Sequence, residues 1–230
     1  MTGEPVPYSI YNDNTILVLY VLSLLMGAYT LMRDGGSILE RIKFMLYYSG
    51  QSTPYNTRAG ISKTGSFTLY TNTILYSTII TFVYMQKALS NEERGNLIMF
   101  VAIVLLYIIF LAIKFIVYET VNRTLFSAKQ AHEWSLSYFF TIKTASILLM
   151  PLVSALILLP TLSDTFVRIY LAIVGIMFFI VLSLRCFNII FSKTFYFLDI
   201  FLYLCAIELL PLIPLWQVMQ RTNLFLMIKF

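Results

Sequence analysis

Glu208 is a carboxyl set inside the apolar run 195–218 and followed at once by Pro211 and Pro214. Ionised and alone in hydrocarbon, such a group costs about 3 kcal/mol on insertion scales, so it must be protonated, hydrogen-bonded or paired with a base. Both prolines remove a backbone donor and loosen the helix, and a carboxyl beside a broken helix recurs in transporter sites. Arg168, at the start of the run before it, is the base expected to reach inward towards Glu208. The reading adopted is that Glu208 locks the last helix to its neighbours and to carbonyls freed by Pro211. A coupled proton or ligand site is the alternative.

A second ionisable group, Lys114, Lys143, Asp199, Arg185 and Lys193, falls near the inner ends of apolar runs. Asp199 is placed to neutralise Lys143 or Lys114, unless the lysines snorkel to inner headgroups instead. Asp199 and Glu208 lie about 13 Å and half a turn apart on one helix, so they are two sites. A third pattern is made of hydroxyls. Ser66, Tyr70, Thr73, Ser77, Thr81 and Tyr84 follow spacings of 4, 3, 4, 4 and 3, which is one narrow helical stripe. No acid or base lies on it. It therefore reads as interhelical contact, with hydroxyls bonding across a helix pair or to their own carbonyls, and as a hydrated path only in the alternative.

Enzyme constellations are missing. His132 is the only histidine, which excludes an HExxH site, and no P-loop or GxSxG elbow occurs. Ser137 and His132 read as loop residues without a matching carboxylate. Glu92 and Glu93 have no histidine to complete a metal site. Cys186 and Cys205, both in apolar runs, give no disulfide framework and no CxxC pair. No catalytic, cofactor or metal residue is expected, and the protein reads as a non-enzyme.

The elements carrying these residues follow from composition. Of 230 residues, 59% are hydrophobic and 12% charged, where a soluble domain has roughly 25% charged. A water-soluble globule and a disordered chain are both excluded. Six apolar runs, 15–32, 66–86, 97–117, 138–160, 166–184 and 195–218, are long enough to cross about 30 Å of hydrocarbon. The fifth is short, and snorkelling of Arg168 and Arg185 at its ends makes up the length. The expected fold is an all-α bundle of six transmembrane helices forming a single membrane domain over 1–230.

With the N-terminus outside, 11 basic residues (Arg33, Arg41, Lys43, Arg58, Lys63, Lys114, Arg123, Lys129, Lys143, Arg185, Lys193) face inward and 5 outward. That asymmetry places both termini outside. It also explains the net charge of +5, and no compact basic run suggests nucleic acid. The N-terminal tail lacks a basic n-region, so the first run is expected to stay in the mature protein. Between the first two runs, Ser37-x-x-Glu40 forms a capping box before apolar Ile38, Leu39, Ile42, Met45 and Leu46. With Gly35-Gly36 ahead and Gly50 behind, this predicts a separate interfacial helix over 37–49, lying in the inner headgroups or docking a partner. The Asn122-Arg123-Thr124 sequon falls on the inner side and is discounted.

The stretch Phe201-Leu-Tyr-Leu-Cys-Ala-Ile-Glu-Leu-Leu-Pro-Leu-Ile-Pro214 resembles the C-terminal signature of a family of uncharacterised Bacteroidota integral membrane proteins, which ends in Leu-Tyr-Leu-Cys-x-x-Glu-x-x-Pro. Tyr203, Cys205, Glu208 and Pro211 carry the resemblance. Lys114-Phe115, Leu148-Leu149-Met150-Pro151-Leu152 and Tyr55-Asn-Thr-Arg58 extend it upstream. It implies the inner membrane of a diderm bacterium and supplies no activity. The function expected is a non-enzymatic accessory or scaffold subunit of an inner-membrane assembly, in contact with membrane lipid and with other membrane proteins or itself. A small-solute or proton-coupled transporter is the alternative, and a lipid-handling enzyme the third.

Overall fold

A computed structural model describes residues 14–47, 62–88, 97–125, 127–159, 162–189 and 217. Within them lie five helices: α1 (Asn14–Tyr47), α2 (Lys63–Ala88), α3 (Leu97–Leu125), α4 (Ala128–Leu158) and α5 (Asp164–Ile189). Four carry stretches long and apolar enough to cross a membrane: Asn14–Glu40, Leu97–Thr124, Gln130–Leu158 and Asp164–Cys186. These are the dimensions of a helical membrane protein. The run expected at 66–86 is helical, as α2, but is not among those four, because its Thr, Ser, Tyr and Asn side chains dilute the apolar ones. The sixth run, 195–218, lies outside the described residues.

α2 is polar because it is central. It packs on α4 along its length and is flanked by α1 and α3, while α5 lies against α4. Lipid-facing positions sit elsewhere: Val18, Leu25 and Met32 on α1, Leu105, Ile109 and Ile116 on α3, and Ile173 and Ile176 on α5 are exposed. The main core gathers Ile16, Tyr76, Ile79, Phe82, Phe100, Ile103, Leu152, Val153 and Val167 at the end where α1 begins, with Phe82 and Phe100 edge to face at 5.6 Å. At the opposite, lower end Tyr118, Trp134, Tyr138, Leu182 and Cys186 pack α3, α4 and α5 together.

Three expectations are corrected here. The separate interfacial helix over 37–49 does not form, since α1 continues unbroken to Tyr47. Gly35 and Gly36 each cost about 1 kcal/mol against alanine in a helix. Packing on both sides of them offsets that. Asp34 is buried against α2, and Ile38 is 2% exposed in a cluster with Leu69 and Phe140. Ile38 thus faces the bundle and not the headgroups. Second, α4 starts at Ala128, ten residues before the expected 138, so His132 and Ser137 lie on a helix, not in a loop. Ser127 caps it, its Oγ accepting from the Gln130 N–H and donating to Gln130 Oε1 at 2.7 Å. Third, Arg185 does not snorkel to a headgroup. It is 5% exposed beside the buried Cys186.

Candidate functional site

The buried face of α1 reads Ile16, Tyr20, Ser23, Gly27, Thr30, Asp34 and Ile38, at steps of three or four residues. Its five middle positions are polar or glycine. Opposite them α2 presents Ser62, Gly65, Thr68, Asn72 and Tyr76, so a polar seam joins the two helices. Tyr20 Oη donates to Ser154 Oγ of α4 at 2.5 Å. Asn72 Nδ2 donates to the Ser23 carbonyl at 3.2 Å, and the Thr30 and Thr68 hydroxyls meet at 2.6 Å. Gly27 allows this approach, because a Cβ there would stand 3.1 Å from Asn72 Nδ2.

The seam ends on a carboxylate. Asp34 Oδ2 accepts from Ser62 Oγ at 2.5 Å and from the Ser62 N–H at 3.3 Å. Ser62 is itself the cap of α2, its Oγ accepting from the Gly65 N–H at 3.0 Å. Asp34 therefore sits at a helix N-terminus, where the backbone dipoles favour an anion. A Cβ on Gly65 would collide with Asp34 Oδ2. None of this seam was singled out in the sequence. The 3–4 spacing of Tyr20, Ser23, Gly27, Thr30 and Asp34, which starts in the first apolar run and ends two residues past it, is a signal of the same kind as the α2 stripe.

That α2 stripe, Ser66, Tyr70, Thr73, Ser77, Thr81 and Tyr84, lies on the helix that packs on α4 between α1 and α3. Thr73 Oγ1 donates to its own Leu69 carbonyl at 2.9 Å and approaches the Ile142 carbonyl of α4 at 3.2 Å. Thr81 and Tyr107 of α3 share a hydrogen bond of 2.8 Å. Lys143 Nζ lies 4.7 Å from the Tyr70 ring centroid, and Arg168 Nη2 donates to Tyr84 Oη at 2.9 Å. A Thr81→Val, Tyr107→Phe double-mutant cycle in detergent is expected to give a coupling of about 0.6 kcal/mol, the usual size for such pairs in membranes. A coupling of zero would show that the pair does not hold α2 to α3.

Of the ionisable candidates, Lys114 is 7% exposed and does not snorkel. Its Nζ donates to Tyr138 Oη at 3.1 Å and lies over the Phe110 and Tyr138 rings. Tyr118 stacks on the same Tyr138 at 3.9 Å. Lys143 and Lys114 are thus separated, one on Tyr70 of α2 and the other within the α3–α4 aromatic layer. Arg168 is exposed beside Tyr84. Its expected partner Glu208, and Asp199, lie outside the described residues, as do Cys205 and Lys193. Asn122 of the sequon is fully buried, its Nδ2 donating to Ser135 Oγ at 3.3 Å. Among the described residues no three His, Cys, Asp or Glu side chains gather as metal ligands.

Residues 15–219 match a family described as a domain of unknown function, DUF4271. The chain belongs to that family. No curated protein and no solved structure matches it. In this DUF4271 chain several described polar side chains join one helix to another, among them the pairs Tyr20–Ser154, Thr30–Thr68, Asn72–Ser23 and Thr81–Tyr107. The seam also holds a buried carboxylate, Asp34.

Proposed function

We propose that this DUF4271 protein is a non-enzymatic accessory or scaffold subunit of an inner-membrane assembly in a diderm bacterium of the Bacteroidota type. The observation that carries the reading is the commitment of α2. Its polar side chains bond to α1, α3, α4 and α5, leaving an outer surface of apolar side chains on α1, α3 and α5 for lipid and for neighbouring membrane proteins. The bundle has six spans, with α2 and the segment 195–218 completing the four apolar helices, and both termini in the periplasm. Support for the orientation comes from the described side chains, of which Arg33, Lys43, Lys63, Lys114, Arg123, Lys143 and Arg185 lie towards the lower end and Arg168 towards the other. Single cysteines at Gly60 and Asn91 test it. Position 91 is expected to label from the periplasm in intact cells and position 60 only after permeabilisation; periplasmic labelling at 60 overturns the topology.

The role is tested by affinity capture from native membranes in mild detergent. Co-purification of defined inner-membrane proteins in fixed proportion is expected. A protein that migrates alone, and whose liposomes take up solute under a pH gradient, sinks the scaffold reading. That outcome is the second reading, a proton-coupled or small-solute transporter, favoured by the buried Asp34 carboxylate and by Glu208 within its apolar run. Glu208→Gln keeps shape and hydrogen bonding while removing titration. On the scaffold reading the variant assembles and complements a knockout fully; on the transporter reading it assembles and fails to complement.

A further inference from the structure

We propose that the α1–α2 seam binds one water molecule at mid-membrane, held by Asn72 Oδ1 and Tyr76 Oη over Gly27. Both side chains are almost fully buried, Asn72 at 2% and Tyr76 at 1% exposure. Neither atom has a hydrogen-bond partner among the described residues. The amide orientation is fixed, because Asn72 Nδ2 donates to the Ser23 carbonyl, so Oδ1 is the atom left to accept. Tyr76 Oη is one helical turn further along the same face of α2. The Ser23 hydroxyl is a polar neighbour of it on α1, and donates its own proton to the Tyr20 carbonyl at 2.8 Å. Ser23 Oγ therefore retains acceptor capacity.

Hydrocarbon offers these groups nothing, and a buried amide oxygen and phenol at this depth must be satisfied from within the protein. A water is the ligand that matches. It accepts from Tyr76 Oη and donates to Asn72 Oδ1 and Ser23 Oγ, which gives it the three partners typical of buried water. Gly27 puts no side chain between them: the place of a Cβ there is 3.1 Å from Asn72 Nδ2 and 4.0 Å from Tyr76 Oη. The water sits between the Tyr20–Ser154 pair and the Thr30–Thr68 pair, at the centre of the line of polar groups that ends on Asp34. It makes the seam wet where a helix pair joined only by direct contacts is dry.

Radiolytic hydroxyl labelling of the full chain in nanodiscs tests the site, since radicals form from waters bound next to a side chain. Tyr76 is expected to label several-fold more than Tyr118, which is fully buried and stacked on Tyr138. Gly27→Ala, which fills the space, and Asn72→Leu, which removes the acceptor, are each expected to bring Tyr76 down to the Tyr118 level. Equal labelling of the two tyrosines in the unaltered protein overturns the proposal. So does Tyr76 labelling that persists in Gly27→Ala. If Asn72→Leu does not fold, the other two measurements still decide.

Discussion

Trp134→Ala is expected to lower stability by about 3–5 kcal/mol, the range for removing a large buried aromatic. Trp134 is fully buried on α4 and packs with Tyr118, Tyr138, Leu182 and Cys186, so its ring is common to three helices. Its centroid lies 6.4 Å from that of Tyr138, the ring whose hydroxyl accepts from Lys114. Losing the indole therefore also loosens the support of a buried cation. Unfolding in mixed micelles at increasing SDS measures the loss. Leu105→Ala, at an exposed position of α3, provides the comparison and is expected to change stability by no more than about 0.5 kcal/mol. Equal losses at the two positions would mean that the α3–α4–α5 layer does not hold the lower end together.

Gly65→Ala is expected to destabilise by about 2–3 kcal/mol, the scale of losing hydrogen bonds to a charged group. In an unobstructed helix the same change stabilises by about 1 kcal/mol, so the sign alone is informative. The new methyl would occupy the place of Asp34 Oδ2 and stand 3.0 Å from Ser62 Oγ. The carboxylate must then leave the Ser62 N–H and hydroxyl that it holds at 3.3 and 2.5 Å. In an Asp34→Ala background the obstruction is gone, and Gly65→Ala should become neutral or stabilising. Thermal midpoints of the four proteins in one detergent complete the cycle. If the two substitutions are simply additive, Asp34 does not clasp the start of α2.

The legible part of the sequence was the part written in apolar periodicity and in composition. Runs of Leu, Ile and Phe gave α3 and α5, and the 4, 3, 4 hydroxyl spacing placed Thr73, Thr81 and Tyr84 on a helix that bonds to its neighbours. Misreadings came where local signals competed with packing. Ser37-x-x-Glu40 behind two glycines has every mark of a helix start, yet Asp34 and Ile38 are held against α2 and carry α1 straight through it. Lys114 and Arg185 looked like snorkelling residues because they flank apolar runs. Whether a long cation turns outward or in towards Tyr138 depends on the partner helix, which no local window contains. Asp34 stands two residues past the first apolar run, and only the Ser62 cap of α2, distant in sequence, makes it a buried partner.

The polarity of α2 bears on how the chain enters the bilayer. A helix with so many hydroxyls, an asparagine and two lysines gains little by partitioning alone. α1 offers it Ser23, Thr30 and Asp34 as polar partners. The contacts of Tyr70 and Thr73 wait longer, because Lys143 and the Ile142 carbonyl belong to α4 and leave the ribosome some seventy residues later (142 against 73). The polar face of α2 is complete only once α4 has been made.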